Sequence, residues 1–161
     1  MTASAPEELS TDGHCLIVLE RLLLAAAPQE GCALLLGRHR QHRLELLQVW
    51  PCCNSWEPKS ERTHQFQLDA REQLHAQRWA RLHGLQVIGA AHSHPSSPAV
   101  PSKSDRTLCL GPTLILIRTG LERGQKAFRA WWLPEADPGP AEPVELTLTV
   151  QATPPTEHLG E

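Results

Sequence analysis

The stretch from His92 to Asp105, H-S-H-P-S-S-P-A-V-P-S-K-S-D, constrains this chain more than any other. Side chains on extended backbone alternate with period two, so His92 and His94 project the same way. Asp105 follows eleven positions after His94. Two histidines and one aspartate suit a catalytic zinc that keeps its fourth position open to water. A chain that uses them together must bring a strand end, a proline-rich turn and a helix start to one point. With nine histidines in 161 residues, about half an H-x-H pair is expected by chance. The weight is therefore carried by Pro95, Ser102 and Asp105 at their fixed offsets.

The rest of the composition narrows the setting. At 161 residues, 40% hydrophobic and 20% charged, the chain is about one ordinary globular domain and buries a core without disulfide help. A net charge of −3 with no Lys/Arg run gives no reason to expect nucleic acid. The five cysteines are Cys15, Cys32, Cys52, Cys53 and Cys109. Their odd number and the lack of a C-x-x-C pair point to buried or semi-buried thiols in a reducing compartment. Leu16 to Ala27 is apolar, but Glu20 and Arg21 interrupt it and Glu7, Glu8 and Asp12 precede it. Neither a signal peptide nor a membrane span is expected there, and the reading is a cytoplasmic protein.

In chain order, residues 1–12 read as a flexible N-terminus, 13–150 as one domain and 151–161 as a flexible C-terminal tail. Leu16, Leu19, Leu22, Leu23 and Ala26 predict a helix over 14–27, stopped by Pro28. The run between Gly31 and Gly37 suits a buried strand, and 44–50 a second strand pairing back on it. Pro51 to Thr63 is a loop. Asp69 and Glu72 form a capping-box pattern ahead of a helix to about His83, with Leu74, Trp79 and Leu82 facing the core and Gly84 as the stop. Strands follow at 85–92, 113–118 and 126–133, with a short helix from Ser104 or Asp105. Residues 134–143 read as an exposed linker, and 144–150 alternate as an edge strand would. Trp131 and Trp132 should point one inward and one outward. The class is α+β, a mixed β-sheet flanked by two main helices.

The residues around His92 now support a comparison. His92, His94, Pro95, Pro101, Ser102 and Asp105 resemble the JAMM motif of the MPN-domain zinc metalloproteases. Residues 28–37, P-Q-E-G-C-A-L-L-L-G, are similar to the upstream glutamate segment of that family, with Ala33 where glycine is common. The likeness spans about residues 14 to 133 and points to the small, single-domain prokaryotic type. It implies a single MPN domain with a cytidine-deaminase-like sheet and one Zn2+ per chain on His92, His94 and Asp105.

Such a zinc lowers the pKa of its bound water to about 7. Glu30 is the candidate to accept that water's proton and pass it to the leaving amine; Glu20 and Glu45 lack its flanking pattern. The resemblance gives Ser102 the oxyanion and the orientation of the water. Ser93 points away from its neighbours and is not assigned to the metal. His64, His75 and His83 read as solvated.

The resemblance further implies hydrolysis of a peptide or isopeptide bond after the C-terminal Gly-Gly of a ubiquitin-like or sulfur-carrier protein. That tail is expected to add to a sheet edge between loops 54–63 and 96–101. Three other readings remain: an inactive MPN scaffold, a RadC-like protein of DNA metabolism, and a hydrolase of small amide conjugates. A RadC-like protein typically has a helix-hairpin-helix region ahead of the domain, where this chain has about a dozen residues before its first helix.

Overall fold

The computed structural model describes residues 4–108, 111–135, 139 and 141–152. Among the described residues seven strands and three α-helices follow in the order β1 (Glu8–Asp12), α1 (Gly13–Ala25), β2 (Cys32–Arg40), β3 (Arg43–Cys52), α2 (Ala70–Leu82), β4 (Gln86–His94), α3 (Lys103–Leu108), β5 (Thr113–Thr119), β6 (Phe128–Leu133) and β7 (Val144–Gln151). The strands follow the order β1-β3-β2-β4-β5-β6-β7 and close into a barrel. Three neighbouring pairs are parallel: β1 with β3, β1 with β7, and β4 with β5.

Closure corrects the expected architecture. The class is α+β with a mixed sheet, but the sheet is not an open layer between two helices. Its first and last strands pair, Leu9 with Leu148 and Thr11 with Val150. Residues 8–12, which look frayed by composition, form β1 because Leu9 is fully buried and Ser10 and Thr11 are buried with it. The alternating segment at the C-terminal end is likewise no edge, since β7 also pairs with β6. The expected tail falls largely on residues 153–161 and the expected linker partly on 136–138 and 140, outside the described residues, as is Cys109.

The main core gathers side chains from α1 and from every strand, among them Leu9, Leu19, Leu23, Leu35, Leu46, Leu116 and Leu146. Asp12 starts α1 by accepting from the Cys15 N–H at 2.7 Å. On β2 the odd positions Ala33 and Leu35 enter this core, while Leu34 and Leu36 face α2 and pack with Ala76 and Ala80. Burial on both faces explains the unbroken apolar run of β2.

Helix α2 differs from expectation in its rotation. Its packing face is Ala76 and Ala80, whereas Leu74 and Leu82 are 47% and 83% exposed. Asp69 caps it through the Arg71 N–H at 2.7 Å. Glu72 does not complete a capping box and instead accepts from Trp50 Nε1 at 3.0 Å. Gly84 takes φ 68° just past the helix, as a C′ glycine does. Trp131 and Trp132 are both half-buried, Trp131 against the Ile115 cluster and Trp132 against the main core.

Candidate metal centre

β4 lies between β2, paired with it as far as His92, and β5, paired with it from Gly89 to His94. His92 and His94 therefore share the face that carries Ala90. The chain leaves β4 through a loop held at three successive carbonyls. Thr119 Oγ1 donates to Ser97 O at 2.6 Å, and Trp131 Nε1 donates to Ala99 O at 2.9 Å. Between them Pro98 O takes His94 Nδ1 at 2.8 Å. Gly120 N donates to His94 O at 2.9 Å, and a side chain at Gly120 would collide with the Pro95 carbonyl. The loop is thus fixed before it reaches α3.

Ser102 starts α3 as its cap. Its Oγ accepts from Asp105 N at 3.0 Å, and its own N–H donates to Asp105 Oδ2 at 2.9 Å. This reciprocal pair is a capping box with aspartate in place of glutamate. Its carboxylate points into the protein, where Oδ2 lies 3.1 Å from His92 Nε2 and 3.2 Å from His94 Nε2. The two Nε2 atoms are 3.0 Å apart. All three residues are buried.

Three donor atoms at these spacings fit one cation. Two ligands about 2.0–2.1 Å from a tetrahedral zinc lie about 3.3 Å apart. The Pro98 carbonyl calls for a proton on His94 Nδ1, which leaves the Nε2 lone pair facing the cluster, the usual outer-shell arrangement of a ligating histidine. Protons cannot satisfy three such mutually facing atoms as well as a metal would. His92 Nδ1 has no hydrogen-bond partner among the described residues. Its ring is instead stacked on Phe66, centroids 4.4 Å apart.

Glu30 arrives from another element. It sits two residues before β2 and is 5% exposed, with Oε1 4.0 Å from His94 Nε2 and Oε2 without a hydrogen-bond partner among the described residues. Its backbone is held on both sides. Its N–H donates to Arg62 O at 2.7 Å, and its carbonyl accepts from Asn54 Nδ2 at 3.0 Å. Next to it, Gly31 N donates to Ser93 Oγ at 2.8 Å and Ser93 N donates to Gly31 O at 3.1 Å. Ser93, facing away from the two histidines, thus ties the glutamate segment to the histidine strand.

Electrostatics follow from burial. Burial pushes the Glu30 carboxyl up to about 8; His94 opposes that and the Asp105 charge adds to it. Burial also lowers His92, against the pull of Asp105. Burial works the same way on His94, but its bonds to Asp105 and the Pro98 carbonyl outweigh it and the net shift is upward. Asp105 is held below the usual carboxylate range because hydrogen bonds from both histidines overcome its own burial.

The other tempting residues lie elsewhere. His64, His75 and His83 are exposed. Burial raises Cys32 to about 12 and Cys15 and Cys52 to about 11, so these thiols are poor nucleophiles at neutral pH. Cys53 is exposed rather than buried.

Three supporting residues carry no local sequence signal: Phe66, Pro98 and Asn54. The Asn54 amide also reaches Gln65 O at 2.8 Å, and its Oδ1 accepts from Trp56 N at 3.0 Å and Gln67 N at 3.2 Å. Ser102 did carry a signal, since S-x-x-D ahead of a helix is a capping pattern.

A cleft of about 440 Å³ adjoins the cluster. Leu34, Trp56, Phe66, Leu68, Val87 and Ile115 line it together with His92 and Asp105. Loop 96–101 takes no part in this lining. β4 is paired on both sides along Gly89–His92, and beyond it Ser93 N bonds Gly31 O, while His94 is paired with β5 alone.

A mixed barrel whose H-x-H strand, capped aspartate and upstream glutamate meet at one buried point defines an MPN-type domain. Residues 15–134 match the family of prokaryotic homologs of the JAB domain, and the chain belongs to that family. Its fold is shared with a solution structure of a protein from Desulfitobacterium hafniense, at 24% identity and TM-score 0.77, covering 95% of this chain and 99% of that one. A solution structure of a protein from Salinibacter ruber is also similar, at 26% identity and TM-score 0.62, covering 88% and 91%. No curated protein matches the sequence. No helix among the described residues is long and apolar enough to cross a membrane.

Proposed function

We propose that this protein is a zinc-dependent peptidase that hydrolyses the peptide or isopeptide bond after the C-terminal Gly-Gly of a ubiquitin-like or sulfur-carrier protein. The family includes hydrolases. The observation that carries the reading is the convergence of His92 Nε2, His94 Nε2 and Asp105 Oδ2 within 3.0–3.2 Å, with Glu30 Oε1 4.0 Å from His94 Nε2. When bound, zinc supplies a Lewis acid that makes water nucleophilic near neutral pH.

The chain's own groups do the rest. Water adds to the scissile carbonyl carbon and the C–N bond breaks. The proton that water loses moves to Glu30 and then to the leaving nitrogen. A carboxylate whose proton affinity is raised by burial suits that transfer. Ser102 is exposed; its Oγ accepts from Asp105 N, so its own proton is available to the carbonyl oxygen as negative charge develops there. The cleft lined in part by His92 and Asp105 receives the extended tail.

The test is mass spectrometry of a ubiquitin-like protein carrying a C-terminal extension after Gly-Gly, incubated with the protein with and without chelator. Cleavage directly after Gly-Gly, abolished by chelator and restored by zinc, supports the reading. An intact substrate together with a metal-free protein would replace it with that of an inactive scaffold. The cytoplasm, where ubiquitin-like carriers are processed, is the compartment this function calls for.

A further inference from the structure

The outward face of α2 carries side chains that the fold does not use. Its buried face is Ala76 and Ala80. At about 100° per residue the opposite face holds Arg71, Leu74, His75, Arg78 and Leu82, with Arg81 at its margin, and all six are exposed. None of the three arginines has an ion-pair partner among the described residues. The only acid of the helix, Glu72, is turned to Trp50. A pair of exposed leucines thus lies among unpaired positive charges on a chain whose net charge is −3. Leu74 and Leu82 stand about two turns apart with Arg78 between them, and exposed apolar side chains interleaved with arginine suit a partner that offers both apolar and acidic groups.

We infer that this face docks the folded body of the substrate protein, and that this body is an acidic ubiquitin-fold domain. The inference rests on the peptidase reading for the identity of the partner, and it adds how the partner is chosen. Position supports it. Leu68, which lines the cleft, precedes α2 by two residues, and Gln73 of α2 lines the cleft as well. The helix is about 20 Å long, and six extended tail residues span about 20 Å. A domain whose tail enters the cleft therefore has its body within reach of the outer face of α2. Charge selects the partner, since acids on it meet Arg71, Arg78 and Arg81, and a basic domain is repelled. The two leucines and the negative overall charge disfavour the other ligand that arginines attract, a nucleic acid backbone.

The test uses Glu30→Gln protein, so that binding is read without turnover. The probe is a ubiquitin-fold sulfur-carrier domain ending in Gly-Gly and a short C-terminal extension, prepared in an acidic form and with its exposed acids changed to amides. Isothermal titration of the acidic probe should show Kd weakened about tenfold by the paired change Arg78→Glu and Arg81→Glu, and again by Leu82→Asp. Arg123→Glu, a charge reversal of the same kind on an exposed loop, should leave Kd unchanged. Circular dichroism confirms that each variant is folded. Kd for the acidic probe should weaken with salt, and the amide form should bind the parent and the Arg78/Arg81 variant alike.

Equal Kd for the parent and both α2 variants would overturn the docking face while leaving peptidase activity intact. So would tighter binding of an oligonucleotide than of the acidic domain. Conversely, α2-dependent binding with no cleavage by the unsubstituted protein would remove the peptidase reading and keep the docking face.

Discussion

His94 makes contacts in two directions, and together they decide what it can do. One ring nitrogen meets the Pro98 carbonyl and the other faces His92 and Asp105. Replacing His94 with Ala, or Asp105 with Asn, should cut zinc content from near one per chain to near zero, as read by elemental analysis of purified protein. Glu30→Gln should keep its zinc and lose hydrolysis by at least 10²-fold, the usual size of a general acid–base contribution; full activity would sink the assignment.

Glu30 also predicts a pH effect on the metal-free protein. Its folded-state value is raised from 4.5 to about 8. The folded chain therefore holds a proton that the unfolded chain has released, and this group costs stability as pH rises from about 4.5 to about 8. In excess chelator, Glu30→Gln should melt progressively higher than the unsubstituted protein across that window and level off above it. The clustering of His92, His94 and Asp105 was legible because their spacing is local. Phe66 and Asn54 were not, because their work is done on residues far away in sequence, the His92 ring and the Glu30 carbonyl.

α2 shows what pattern reading delivers at the scale of an element. Asp69 and Gly84 marked its ends because caps are local chemistry. Its rotation was missed because the large apolar residues, Leu74 and Leu82, are not the ones that pack. The outer faces of β2 and β4 already carry Leu34, Leu36 and Val87, so the helix approaches on alanines. Ala80→Leu should destabilise the fold by about 1–3 kcal/mol through overpacking, whereas Leu82→Ala should fall within about 0.5 kcal/mol of neutral, both measured by urea titration. β2 was found as a strand for the opposite reason: burial on both faces leaves an uninterrupted apolar run.

At the scale of the whole molecule, the number of strands was nearly legible and their closure was not. Alternation from Val144 to Val150 identifies a strand, but nothing in those residues names β1 and β6 as its neighbours. Pairing between residues about 140 apart is decided by the barrel as a whole. Leu146 enters the main core from β7 at 4% exposure, and Leu146→Ala should cost about 2–5 kcal/mol, read as a lower urea midpoint. The same closure orders events during synthesis. β1 leaves the ribosome well before β7, one of its two partners. The nascent chain must therefore carry an unclosed ring, open at β1 and β6, until translation has passed residue 151. A stalled or prematurely ended chain exposes both of those strand edges to its neighbours on the polysome.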